Sequence, residues 1–273
     1  MNLTLTNDRI RELIPNVIHE VKGETSLLNK LRPWIETAKG WLEQNLLGSY
    51  EPEGEIFRQA EKVIVIRAFA LAVPSLDLSL SPSGFAVINT DGRAPASKER
   101  VERLIASLNT FVDQNLDRLL FTLSCDEVWR VSESGRWWLA TFIPNFTEAW
   151  RFRSQGDVLS TYRIMRSQAL RFEQELKENY LGTLLDELRE QQHATTHAPL
   201  VRKIREAELR YIGFHMRDQK PTCPDDHDVW HLVRPVIAML KTYPDLYARW
   251  QAEMGDRFRP EPFKNDVKGG FYF

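Results

Sequence analysis

The stretch Glu55–Asn89, EIFRQAEKVIVIRAFALAVPSLDLSLSPSGFAVIN, changes its apolar period midway, and that change sets the fold expected for the chain. From about Ile56 to Val73, the residues Ile56, Phe57, Ala60, Val63, Ile64, Ala68 and Leu71 recur at spacings of three and four. Val65, Ile66 and Phe69 thicken the stripe, as in a helix buried nearly all round. Pro74 should end it. Beyond Pro74, Leu76, Leu78 and Leu80 alternate at period two, Ser81-Pro82-Ser83-Gly84 reads as a turn, and Phe85 and Val87 answer on a return strand. This predicts a β-hairpin over 76–89. A lone two-stranded hairpin is marginal in water, so its apolar face needs cover from its own chain or from a partner.

Working outward, the helix before this stretch is capped by Ser26 and carries Leu27, Leu28, Leu31, Trp34, Ile35, Ala38, Trp41, Leu42 and Leu46, with a bend or restart at Pro33, until Gly48 stops it. The helix after it begins at the cap Ser97, with Val101, Leu104, Ile105, Leu108, Phe111, Val112, Leu116, Leu119 and Leu120 as its stripe. Between Cys125 and Gly156 the period breaks up among Trp129, Trp137, Trp138, Phe142, Phe146 and Trp150, a connector packed by aromatics. Helical spacing returns at Leu159, Tyr162, Met165, Ala169, Phe172, Leu176 and Tyr180, passes Gly182, and continues through Leu188. Further helices are expected from about Leu200 to Met216 and from Val229 to Met254, the latter broken near Pro235 and Pro244.

The two halves follow one order. A helix ending in Gly (LRPWIETAKGWLEQNLLG and FEQELKENYLG), a central helix (EIFRQAEKVIVIRAFALAV and PLVRKIREAELRYIGFHM) and a closing helix occur twice, which suggests a duplicated three-helix module. The expected fold class is therefore mainly α, two helical modules with one protruding β-hairpin in the first. The first module spans 1–124, the aromatic connector 125–156, the second module 157–255 and an extended tail 256–273.

Composition narrows the function. A chain of 273 residues, 42% hydrophobic and 11% aromatic, can build real cores. A formal net charge of −2 with scattered Lys and Arg lacks the electrostatic footprint of a dedicated nucleic-acid binder. The N-terminal MNLTLTNDRIREL has no basic region leading into an apolar run, and no segment reaches the length of a membrane span. The expectation is a cytoplasmic chain with no membrane partner. Cys125 and Cys223 form no CxxC pair and read as reduced thiols.

Candidate chemistry is thin. His193, His197, Cys223, His227 and His231 have ligand-like spacings in HATTH and CPDDHDVWH, but match neither HExxH nor a paired CxxC, so surface histidines beside a capping Asp225-Asp226 are preferred. Asp126-Glu127, Glu206 with Glu208, and Asp245 read as caps or solvated faces. Ser83 lacks a nucleophile elbow, and Cys125 adjoins an acidic pair that blunts its thiol. No Gly-rich phosphate loop occurs. No catalytic residue, metal or cofactor is nominated, and the chain reads as not an enzyme. Two segments ask for a partner instead: the hairpin, and the terminal Lys268-Gly269-Gly270-Phe271-Tyr272-Phe273, whose aromatics are costly to solubility unless something buries them.

The order of a helix ending in Gly, an apolar helix, a β-hairpin and a long third helix resembles the head–tail connector, or adaptor, proteins of tailed phages. More closely, GFAVIN, APASKERVERLI, FIPNFTEAW and KGGFYF resemble an uncharacterised family of two-module proteins of Bacteroidetes prophages. The resemblance implies a structural, ring-forming virion component that assembles in the cytoplasm and contacts portal or tail neighbours, without sequence-specific nucleic-acid binding. It carries over no catalytic residues. Leu78, Leu80, Phe85, Val87, Phe271, Tyr272 and Phe273 are the expected interface, with the hairpin as a clasp onto the next subunit. Two departures stand against it: simple connectors are about half this length, and the second module lacks a hairpin. Competing expectations are a metal-dependent helical hydrolase using the His/Cys set and a monomeric helical scaffold or regulatory binder.

Overall fold

Helix α1, Asn7–Leu13, begins where the Thr6 hydroxyl accepts a hydrogen bond from the Arg9 backbone N–H at 3.2 Å. The structure is a computed structural model. It describes residues 1–14, 25–76, 78–81, 84–87, 97–143, 145, 147–149, 158–190, 195–216 and 228–259, with the side chains of 78–81 and 84–87 excepted. The chain divides into two compact units, Met1–Ile164 and Met165–Phe273.

In the first unit, α2 (Leu27–Leu42) runs without a break through Pro33, correcting the restart expected there. Its Leu31, Ile35, Ala38 and Leu42 are buried at helical spacing. The helix then widens into a π turn, Glu43–Leu47, closed by the Gly48 N–H on the Glu43 carbonyl at 2.8 Å. Gly48 sits at φ 62°, ψ −126°, a conformation that only glycine adopts cheaply. Helix α3 (Gly54–Ala72) packs against both α2 and α4 (Lys98–Ser124) and, apart from Glu61, buries an almost wholly apolar set. Each large aliphatic side chain so buried contributes about 1.5–3 kcal/mol relative to exposure.

The expected fold class needs correcting beyond α3. The protruding hairpin over 76–89 is not formed at that extent, and the described chain is helical almost throughout. Val73–Ser75 forms a 3₁₀ turn in which Pro74 needs no N–H donor, Ser75 donates its hydroxyl to the Ala72 carbonyl at 2.8 Å, and Leu76 keeps helical dihedrals of −70° and −24°. Leu76 therefore belongs to the helical side of the junction. Among the described residues, extended pairing is confined to a short antiparallel ribbon, β1 (Leu78–Ser81) with β2 (Gly84–Val87), in the register Leu78↔Val87, Ser79↔Ala86, Leu80↔Phe85 and Ser81↔Gly84.

Residues from Cys125 on form two short helices, α5 (Glu127–Val131) and α6 (Glu133–Trp138). They are started by the Asp126 carboxylate accepting from the Trp129 N–H at 2.8 Å and the Ser132 hydroxyl accepting from the Gly135 N–H at 3.0 Å. A Cβ at Gly135 would run into the Trp129 carbonyl, so the close approach of the two helices requires glycine there.

Helix α7 (Val158–Leu176) supplies its first residues to the first unit and the rest to the second. It ends in a second π turn, Lys177–Leu181, closed by the Gly182 N–H on the Lys177 carbonyl at 3.0 Å, with Gly182 at φ 57°, ψ −136°. The dihedrals match those at Gly48 closely. Helices α8 (Leu184–Glu190), α9 (Ala198–His215), α10 (Val229–Thr242) and α11 (Ala248–Glu253) complete the unit, with α9 packed on α10. Helix α10 is continuous through Pro235 and ends before Pro244, so the break expected at Pro235 is absent.

Candidate functional site

The π turns leave carbonyl groups turned away from the regular helix ladder, and buried tryptophans satisfy two of them in the first unit and one in the second. In the first unit the Trp129 indole donates to the Leu46 carbonyl at 3.0 Å, two residues before Gly48, and the Trp138 indole donates to the Asn45 carbonyl at 2.9 Å. In the second, the Trp250 indole donates to the Tyr180 carbonyl at 2.8 Å, two residues before Gly182. Side chains then close on the glycines. The Ser134 hydroxyl fills the space where a Cβ would stand on Gly48, and the Glu253 carboxylate fills the corresponding space at Gly182. Glu253 also accepts hydrogen bonds from Thr183, chiefly from its hydroxyl, which holds its carboxyl below the usual carboxylate range. Near the first corner the Tyr50 hydroxyl donates to Asp126 at 3.0 Å; burial, then this bond, pushes the phenol up to about 12.

Both central helices bury an Ala-Glu pair in like context, Arg58-Gln59-Ala60-Glu61 and Arg205-Glu206-Ala207-Glu208. Glu61 is 6% exposed and receives both Nε and Nη2 of Arg9 on one oxygen, at 2.9 and 2.7 Å. Glu208 is fully buried and sits beside Glu173 of α7, which pairs with Arg189 of α8. The expectation that Glu208 is solvated is wrong, because it lies four residues from both Ile204 and Ile212, on the buried stripe of α9. That phase was the available signal.

Several large apolar side chains are exposed among the described residues. Val128 and Val131, 68% and 66% exposed, are one helical turn apart on the outward side of α5, whose opposite side buries Trp129; Phe121, on the last turns of α4, is 64% exposed. In the second unit Trp230, Tyr243 and Leu246 are exposed, and Trp230 stacks on Tyr180 and Phe258 with ring centroids 6.1 and 6.0 Å apart.

Of the expected interface, Leu78, Leu80, Phe85 and Val87 lie on the ribbon, but their side chains, like Phe271, Tyr272 and Phe273 entirely, lie outside the described residues. The same holds for His193, Cys223 and His227. His197 lies in a 3₁₀ turn with its ring 5.7 Å from that of Tyr247, and His231 is half-buried on α10. Among the described residues no group of three or more His, Cys, Asp or Glu side chains could hold a metal ion, and no helix is long and apolar enough to cross a membrane.

Residues 14–137 match a family described as "Family of unknown function (DUF6712)". No curated protein and no solved structure matches the chain.

Proposed function

We propose that the protein is a non-enzymatic structural component of a phage or prophage particle, a ring subunit at the head–tail junction that acts through contacts with its own copies and with portal or tail neighbours. The observation that carries this reading is the outward apolar pair Val128 and Val131 on α5, on a short helix fixed from behind by the buried Trp129. Exposed aliphatic side chains on a rigid support favour a permanent partner, whereas isolated mobile ones do not require one. A near-neutral chain also suits a ring through which DNA passes without being gripped. On this reading the protein stands in the cytoplasm during assembly and in the particle afterwards. The resemblance of the helix order to that of connectors supports the reading; the outward surface supplies the testable part.

The test is a Val128→Asp, Val131→Asp double variant, which alters two exposed positions and leaves the core untouched. Particles assembled with the wild-type chain should contain it in fixed proportion to the portal, and the double variant should be folded yet depleted from them. Undiminished incorporation of the folded variant, or absence of the wild-type chain from purified particles, contradicts the proposal.

A further inference from the structure

Two carboxylates lie buried inside the second unit, and an arginine is paired with one of them. Glu208 is 0% exposed and Glu173 is 2% exposed. Glu173 takes the Arg189 guanidinium. Neither oxygen of Glu208 receives a hydrogen bond from a donor among the described residues, yet the group lies within hydrogen-bonding reach of Glu173. Two carboxylates approach in this way only if one of them carries a proton and donates it. An ionised Glu208 would leave a fully buried charge with no donor on it; a neutral Glu208 donates its O–H to Glu173 and leaves Glu173 paired with Arg189, which also reaches the half-exposed Asp186 at 3.7 Å.

We infer that Glu208 is held in the core as a neutral carboxyl sharing its proton with Glu173, which makes the second unit a pH-sensitive module that tightens on the acid side and loosens on the alkaline side. The groups acting on Glu208 are Glu173 from α7, Arg189 from α8 and Arg205 from its own helix. From α10, packed along α9, the exposed Arg234 and Lys241 and the half-buried His231 are the ionisable residues, while Leu232, Val233, Val236, Ile237 and Leu240 are buried. His197 lies at the N-terminal end of α9. Burial, then the charge and hydrogen bond of Glu173, hold the Glu208 carboxyl well above the usual range, with Arg205 and Arg189 pulling the other way.

An unfolded glutamate loses its proton near about pH 4.3, whereas folded Glu208 keeps it to higher pH. Between the two values the folded state binds one more proton, so stability falls as pH rises and levels off once Glu208 ionises in the folded state. The inference holds whether or not the protein is a virion component.

Hydrogen exchange of the full-length protein, followed peptide by peptide from about pH 5 to about pH 9 and corrected for intrinsic exchange, tests it. The opening constant of α7–α9 peptides in the second unit should rise with pH, approaching tenfold per pH unit within that window, and Glu208→Gln should remove this rise and open less at the alkaline end. Infrared spectra of the wild-type protein, isotope-labelled at glutamate, should show a protonated-carboxyl band at neutral pH, independently of how the variant folds. A pH dependence that survives in E208Q, or no such band in the wild type, overturns the inference.

Discussion

Glu61 and Glu208 occupy the same local context in the two central helices, each following an alanine and three residues after an arginine, and the two units neutralise them differently. In the first unit Arg9 reaches over from α1 and supplies two donors to Glu61. In the second, another carboxyl, Glu173, bears on Glu208, and of the two arginines that act on it Arg189 is already engaged by Glu173. The corners around these helices are alike, with a π turn, a glycine in the left-handed region, and an indole on the carbonyl two residues before it. A shared scaffold therefore holds two opposite solutions to a buried acid, a fixed cation in one unit and a mobile proton in the other.

The strongest way to break the comparison is at the corners. Trp129→Ala and Trp250→Ala each remove a fully buried indole, and each should cost its own unit about 3–5 kcal/mol. Unit-resolved exchange should show the loss confined to the unit that holds the mutated residue; an equal loss in both would dissolve the distinction between the units. Next in size, Gly48→Ala and Gly182→Ala each place a Cβ in a left-handed conformation and against Ser134 or Glu253, costing about 1–3 kcal/mol by thermal or chemical unfolding. Equal penalties would sharpen the repeat, while a tolerated alanine at one site would show that the two turns differ in strain.

Arg9→Ala should cost the first unit about 1–3 kcal/mol at neutral pH, since it strips the donors from a nearly buried carboxylate. The loss should shrink in a Glu61→Gln background, where no buried carboxylate is left to need the cation. An R9A penalty of the same size in the wild-type and E61Q backgrounds would mean that Arg9 acts by packing alone. The smallest expected effect is Tyr50→Phe, which removes one hydrogen bond to Asp126 and should lower stability by about 0.5–1.5 kcal/mol.

Much of the helical frame was legible in the sequence, because three- and four-residue apolar spacing predicts α3, α4 and α9, and Gly48 and Gly182 mark the stops of the helices before them. Other features depend on geometry that spacing does not encode. A π turn adds one residue to a helical turn without leaving a composition signal, so the indole-to-carbonyl locks of Trp129, Trp138 and Trp250 are not visible in the sequence, where Trp129 and Trp138 read only as part of a connector packed by aromatics. The extent of extended structure after α3 was overread because Leu76 fits the alternation of Leu78 and Leu80, although the 3₁₀ turn through Pro74 keeps it helical. Glu208 was passed over for a different reason: charge argued for solvent, while its position between Ile204 and Ile212 argued for the core, and packing decided. Val128 and Val131 could not be told from core residues until the phase of α5 was known.

The central claim is that one buried acid depends on a cation and the other on a proton, and the pair Glu61→Gln and Glu208→Gln tests it within one full-length protein. At about pH 8, unit-resolved hydrogen exchange should show E61Q opening the first unit more readily and E208Q opening the second unit less readily than the wild type. Changes of the same sign in both variants would contradict the account.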